Sequence, residues 1–178
     1  MATWKIDPDH SAATFTIKHL MVTNVRGLFS NVSGTIQFEP ADPGSCAVEA
    51  VIDVSSLSTG NRTRDDHLFS ADFFEVAKYP EIVFRSTKVE KGGGNRIKVA
   101  GDLTLHGITR PVTMDVEYAG PVKSPPDMGG ETTIGFAATT VITREDFGIR
   151  WNVPLDNGGV VAGHEVLIAL DIEADLAQ

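Results

Sequence analysis

The sequence predicts an all-β protein, an eight-stranded antiparallel up-and-down barrel with a short helical insertion between its third and fourth main strands. Three observations carry this. Apolar and polar residues alternate with a period of two in eight separate runs, the pattern of strands with one buried and one wet face. The links between most runs are short Gly- and Pro-rich turns, which suit antiparallel neighbours and leave no room for the crossover helices of a parallel sheet. Only one stretch has helical character, and closing eight sequential strands into a barrel removes both exposed edges.

In chain order, the inward set of the first run is Ala13, Phe15, Ile17 and His19, and that of the second is Gly34, Ile36 and Phe38. Val48, Ala50, Ile52 and Val54 follow, with Val51 interrupting the polar side, and then Ile82 and Phe84. The fifth run is Ile97, Val99, Gly101, Leu103 and Leu105; the sixth is Val112, Met114, Val116 and Tyr118. Ile134, Phe136, Ala138, Thr140 and Ile142 form the seventh, and Val166, Ile168, Leu170 and Ile172 the eighth.

Residues 19–31, with Arg26 and Phe29, read as the link between the first two strands. Ser55 to Pro80 is too long for a hairpin loop and carries the helical patch, with Asn61 as cap of a helix from Arg62 to Leu68 and Arg62 and Asp66 spaced to pair. Ser70 is placed to cap a further turn bearing Phe73, Phe74 and Val76, and Pro80 ends the patch. A second long link, Arg144 to Gly163, carries Phe147 and Trp151.

Up-and-down topology puts alternate links at opposite ends. The residue 19–31 link, the helical patch, the His106–Gly107 turn and the Arg144–Gly163 link therefore share one end, with His19, His67, His106 and His164. The other end holds ordinary turns and His10. The barrel has one elaborated mouth and one closed base. An eight-stranded barrel is either filled by side chains or wide enough for one small ligand. The inward set mixes large residues (Phe15, Phe38, Phe84, Phe136) with small ones (Ala13, Gly34, Ala50, Gly101, Ala138), which is compatible with either. Phe73 and Phe74 in a lid-like segment tilt the reading toward a cavity, because apolar side chains in a loop need something to cover.

The chain has 178 residues, of which 42% are hydrophobic, enough for the core of one domain across residues 1–178. Its formal charge of −9 argues against a nucleic-acid surface, which needs a basic face. No run approaches the ~18 apolar residues of a membrane-spanning helix, so stable membrane insertion is not expected. Cys46, the one cysteine, sits in an apolar run and reads as a buried, inert thiol. The start, MATWKIDPDH, lacks the apolar core of a leader. The expectation is a soluble, cytoplasmic protein, periplasmic where a leader has been removed.

Five segments occur in order along the chain: IDPDHSAATFTIKHL, GLFSNVSGTIQF, DVSSLSTGNRTRDDHLFSADFFEVAKYPEIVF, GDLTLHGITRPV and ITREDFGIRW. Together they resemble the YceI-like, polyisoprenoid-binding family over essentially the whole chain. The resemblance implies a lipocalin-like barrel whose tunnel holds a long isoprenoid chain, a polyprenyl or isoprenoid quinone tail, with no cofactor required. The family's motifs fall here on Arg64, Asp65, His67 and Leu68, on Phe73 and Phe74, on Leu103 to Gly107, and on Arg144, Asp146, Phe147 and Gly148. These motifs fit ligand contacts and structural ties across the mouth equally well.

On that reading the tail lies against Phe15, Ile17, Phe29, Ile36, Phe38, Ile52, Phe84, Leu103, Met114 and Phe136, under Phe73, Phe74 and Trp151. The polar head sits near His19, Arg64 and His106. A mutual tie among Arg64, Asp65 and Asp66 is the favoured role, with Arg64 as the competing headgroup candidate because its planar fork suits phosphate or carbonyl oxygens. A metal-dependent or acid–base enzyme at the His-rich mouth is the alternative class. The sequence offers it no His or Cys ligand spacing and no nucleophile–base motif, so no catalytic or metal residue is assigned. A filled barrel acting through a protein partner is a third reading. Dimerisation is compatible with the sequence, which marks no interface.

Overall fold

The computed structural model describes residues 1–178. Its strands are β1 (Ala2–Ile6), β2 (Ala12–His19), β3 (Thr23–Phe29), β4 (Val32–Phe38), β5 (Ala47–Asp53), β6 (Leu57–Ser58), β7 (Glu81–Lys91), β8 (Arg96–Leu105), β9 (Ile108–Lys123), β10 (Thr132–Thr143) and β11 (Ala162–Leu176). One α-helix, α1 (Arg62–Phe69), stands between β6 and β7. All pairings are antiparallel, and β1 meets β11 to close the sheet.

Eleven segments make eight staves. Trp4, Lys5 and Ile6 of β1 face Leu176, Asp175 and Ala174 of β11. Further along the same edge, β2 takes over, from Ala12 opposite Asp171 to His19 opposite Ala162. β1 and β2 are thus one stave, broken where Pro8–His10 forms a 3-10 turn. β4 and β3 answer them in the next stave, and β5 and β6 make the third. The barrel is the predicted eight-stranded antiparallel one, with the helix between the third and fourth staves.

Two strands went unread in the sequence. β1 is a strand although its short run went unassigned; Trp4 and Ile6 are buried, and the Trp4 indole N–H donates to the Phe38 carbonyl at 3.0 Å. Residues 23–29, read as part of a link, are β3. Its inward phase is Val25, Gly27 and Phe29, and the glycine hides the apolar period. A methyl on Gly27 would lie 2.2 Å from the tip of the Phe15 ring, so the missing side chain is the space that Phe15 occupies.

Asn61 caps α1, its side-chain oxygen accepting from the Arg64 backbone N–H at 2.9 Å, as expected. The projected pairing of Arg62 with Asp66 does not form. Instead the preceding turn is drawn onto the helix through Thr59. Asp65 accepts from the Thr59 N–H at 2.9 Å and its hydroxyl at 2.5 Å, while Arg64 donates to the Thr59 hydroxyl at 2.7 Å and carbonyl at 2.8 Å. The favoured tie between Arg64 and its acidic neighbours is therefore replaced by a shared hold on Thr59.

The base is plugged. Phe38 is fully buried, with its ring centroid 4.8 Å from that of Tyr118 and 5.2 Å from that of Phe136, both edge-on. Trp4, Ile134 and Ala174 are buried as well. Edge-to-face aromatic packing of this kind adds to the area term.

Candidate functional site: an apolar cavity with a polar mouth

Above the plug the barrel is hollow. The cavity measures about 700 Å³, within the usual span for small-molecule sites. On β8 its wall runs from Ile97 to Leu105. At ~3.3 Å per residue and a strand tilt of about 40°, that is a depth of roughly 20 Å. Of 44 lining residues 35 are hydrophobic, so the interior offers a ligand apolar surface and almost no hydrogen bonds. Phe15, Ile17, Ile52, Leu103, Val166, Ile168 and Leu170 point inward yet remain only half-buried. In a filled barrel such residues would be fully covered; here part of each still faces the cavity.

Glycine sets the bore. Phe84 lies across Gly101 as Phe15 lies across Gly27, so both rings lean on bare backbone and leave the space between them open.

The lid closes on aromatic contacts. Phe74 meets Phe29 edge-on at 5.6 Å and Phe15 at 6.4 Å. Phe73 stands 5.3 Å from Trp151 and 5.0 Å from His67, and His67 meets Trp151 edge-on at 4.9 Å. The segment is held by its own backbone, with Phe74 N–H donating to the Leu68 carbonyl and Val76 N–H to that of Phe69. Trp151 reaches the mouth because Arg144 pins its loop. This buried guanidinium donates to the carbonyls of Gly163 (2.8 Å), Ile149 (3.0 Å), Trp151 (2.9 Å) and Ala162 (3.3 Å). Burial lowers its pKa, and the neighbouring Glu145 carboxylate opposes the shift. Glu145 in turn is tied to the His164 ring. Burial alone would raise the Glu145 pKa, but His164, its own N–H and Arg144 together bring it below the ordinary carboxylate value.

Residues 4–174 match the family model described as the YceI-like domain. The chain belongs to the YceI-like family. A UPF0312 protein of Staphylococcus aureus strain N315 is 36% identical to it over the whole length of both chains. The crystal structure of BcnA from Burkholderia cenocepacia superposes with a TM-score of 0.79 at 25% identity, covering 94% of this chain and 98% of that one. The YCEI protein of Campylobacter jejuni reaches 0.73 at 31% identity, with 90% of each chain covered. A domain from Saccharophagus degradans, described as polyisoprenoid binding and implicated in plant cell wall breakdown, shares the fold at 15% identity with a TM-score of 0.71, covering 99% of this chain and 100% of that one.

In this YceI-like barrel the wall includes Phe15, Ile17, His19, Phe29, Ile36, Ile52, Arg64, Phe73, Phe74, Phe84, Leu103, Met114, Phe136 and Trp151. Two of the residues singled out in the sequence are absent from it. Phe38 has the inward phase but lies one layer too low, inside the plug. His106 is out of phase: Leu105 points into the cavity, so the next residue turns away. Its backbone adopts φ of 53°, its ring packs edge-on to Tyr79 at 4.8 Å, and its Nδ1 meets the Phe147 carbonyl at 3.1 Å. His106 is a tie between the β8–β9 turn and the lid, with Glu75 3.5 Å from its Nε2.

The four mouth histidines do not converge. His67 is bound to Asp72 at 2.8 Å, His106 to the Phe147 carbonyl and His164 to Glu145, while His19 stands exposed. The one trio of potential metal-ligating atoms within 4.8 Å of each other is Asp7, His10 and Glu173, at the break in the first stave. Val25, Val161 and Ile149 also line the cavity without having been singled out. For Val25 the signal was its spacing of four from Phe29 across Gly27. Cys46 lines the deep wall and is buried, which pushes its thiol pKa up to about 11, in keeping with an inert role.

Proposed function

We propose that the protein binds a long-chain isoprenoid lipid, a polyprenyl lipid or an isoprenoid quinone, and stores or carries it with the tail inside the barrel. The observation that carries this reading is the open cavity of about 700 Å³ with 35 hydrophobic residues among its 44. A tail leaving water gains about 0.8 kcal/mol per buried CH₂, offset by the ordering of a flexible chain. The description of the Saccharophagus degradans domain as polyisoprenoid binding supports the same class of cargo. Mouth histidines that do not converge favour binding over turnover, because a catalytic centre needs acid, base and nucleophile within mutual reach. No helix of the chain is long and apolar enough to cross a membrane.

Organic extraction of the purified protein followed by mass spectrometry is the test, together with uptake of octaprenyl lipids by the stripped protein. A near-stoichiometric prenyl lipid, or saturable uptake, supports the reading. A clean protein that also takes up none overturns it.

A further inference from the structure

The turn between β2 and β3 breaks two rules at once. The His19 carbonyl accepts from the Val22 N–H at 3.1 Å, and Leu20 and Met21 between them take φ of 52° and 63°, the pattern of a type I′ hairpin turn. Such a turn ordinarily holds Asn-Gly, because a side chain at positive φ crowds the backbone. Here it holds two long apolar residues, and Val22 follows them. All three are exposed, and Val22, at 79%, is the most exposed large hydrophobic residue of the chain. None of them lines the cavity, so neither the core nor contact with cargo accounts for them. Local strain joined to exposed apolar surface marks a place of function.

The tip is anchored at the rim. Leu20 N–H donates to the Val161 carbonyl at 2.8 Å, and Val161 N–H to that of Val153 at 3.0 Å. The Met21 side chain lies over Gly159, where a methyl would stand 3.1 Å from its Cγ. Val153 is exposed too, while His19, Val25 and Val161 beside the tip belong to the cavity wall. An apolar ledge thus adjoins the mouth of the cavity. It is also nearly free of charge. Residues 19–25 hold no Asp, Glu, Lys or Arg, and residues 151–163 hold only Asp156, in a chain with a formal charge of −9.

We propose that this ledge docks the barrel reversibly on a lipid bilayer, with Leu20, Met21 and Val22 dipping among the headgroups and the mouth turned to the membrane. A bilayer fits better than a protein partner. Stable protein interfaces engage about 20–30 residues a side, far more than a hairpin tip offers, whereas binding at the headgroup level scales with the apolar area inserted and needs no broad surface. Net acidity turns the chain away from an anionic surface, so apolar contact rather than charge supplies the hold. The proposal rests on the reading of the cavity as a lipid site, since a water-insoluble cargo has to pass between bilayer and cavity without crossing water.

The experiment uses the full-length chain and phosphatidylcholine vesicles, with and without geranylgeraniol. The unaltered protein is expected to float with the vesicles at low and high salt alike, and to extract geranylgeraniol from them. The double variant Leu20→Asn, Met21→Gly installs the residues that the turn geometry prefers. It is expected to keep or raise Tm and to take up geranylgeraniol added without vesicles as the unaltered protein does, while vesicle binding and the rate of extraction fall at least about tenfold. Val22→Thr, which keeps a β-branched side chain where β3 begins, is expected to lower both in part. Vesicle binding and extraction undiminished in the double variant overturn the proposal. A lower Tm in that variant does so too, by making the tip a structural element. Self-association of the unaltered chain that the double variant abolishes also overturns it, by assigning the tip to a second copy. An unaltered protein that takes up the alcohol without vesicles yet ignores the vesicles loses only the docking, whereas one that takes up none loses the lipid reading as well.

Discussion

Phe84 rests on the bare backbone of Gly101: a methyl group built there would lie 2.4 Å from the Cζ of the ring and 2.4 Å from the Arg85 carbonyl oxygen. The second contact is with main chain, which cannot swing aside. Gly101→Ala is therefore expected to destabilise the barrel by about 1–3 kcal/mol through overpacking, a fall in Tm of roughly 3–10 °C for a chain of this size, read by thermal melts.

Gly27→Ala is expected to behave differently. The three atoms nearest the new methyl all belong to the Phe15 ring, a side chain that borders the cavity and can turn into it. The cost in stability stays within about 1 kcal/mol, while capacity falls. Shorter prenyl alcohols retained and longer ones lost, measured by competitive uptake, is the expected outcome; unchanged length preference with a large drop in Tm would contradict it.

Phe84 itself separates folding from capacity. Phe84→Asp places an unpaired carboxylate on a buried apolar wall, which is costly, so both uptake and stability should fall. Phe84→Trp narrows the bore and should shorten the preferred chain while the β-sheet circular dichroism is retained.

Arg144→Met takes the guanidinium donor from the Gly163, Ile149 and Trp151 carbonyls, while Ala162 keeps the Asn152 amide at 2.8 Å. Each buried group left unpaired costs about 1–3 kcal/mol, so a loss of at least about 3 kcal/mol is expected, with faster hydrogen exchange concentrated between residues 148 and 163.

At the break in the first stave, a hydrogen bond to Asp7 raises the pKa of His10 above its ordinary 6.5, and the charges of Asp7, Glu173 and Asp9 add to this. The same bond lowers Asp7 below its ordinary 3.8, outweighing burial, with the Asp9 N–H and the charge of His10 assisting. The His10 contribution to stability is full below pH 6.5 and fades as pH rises through its folded midpoint. That of Asp7 is full above pH 3.8 and fades as pH falls through its own. The pair thus acts fully between those two values. An NMR titration should place the His10 midpoint above 6.5, and Asp7→Asn should bring it down.

The staves were legible wherever apolar residues kept strict alternation, and the ends of the barrel followed from counting them. β3 escaped because Gly27 occupies the inward position where a hydrophobic residue would have marked the period. β1 escaped because only Trp4 and Ile6 mark it. Depth along a stave was not legible: Phe38 and Phe136 share the inward phase, but only closure of the barrel fixes which lies in the plug alone. Phase did speak for His106, one residue past inward Leu105, and its neighbours in space, Tyr79 and Phe147, come from distant parts of the chain. Whether the interior is solid or hollow depends on how large and small residues face one another across the barrel, which no single strand reveals.

With Phe38, Tyr118 and Phe136 stoppering one end, the vessel has a single door. On the proposed lipid-binding reading, a long tail enters greasy end first and leaves in reverse, and its polar tip never travels the length of the hollow. On that reading a donor and a recipient would visit the same rim in turn, and the barrel would work as a quiver rather than a pipe.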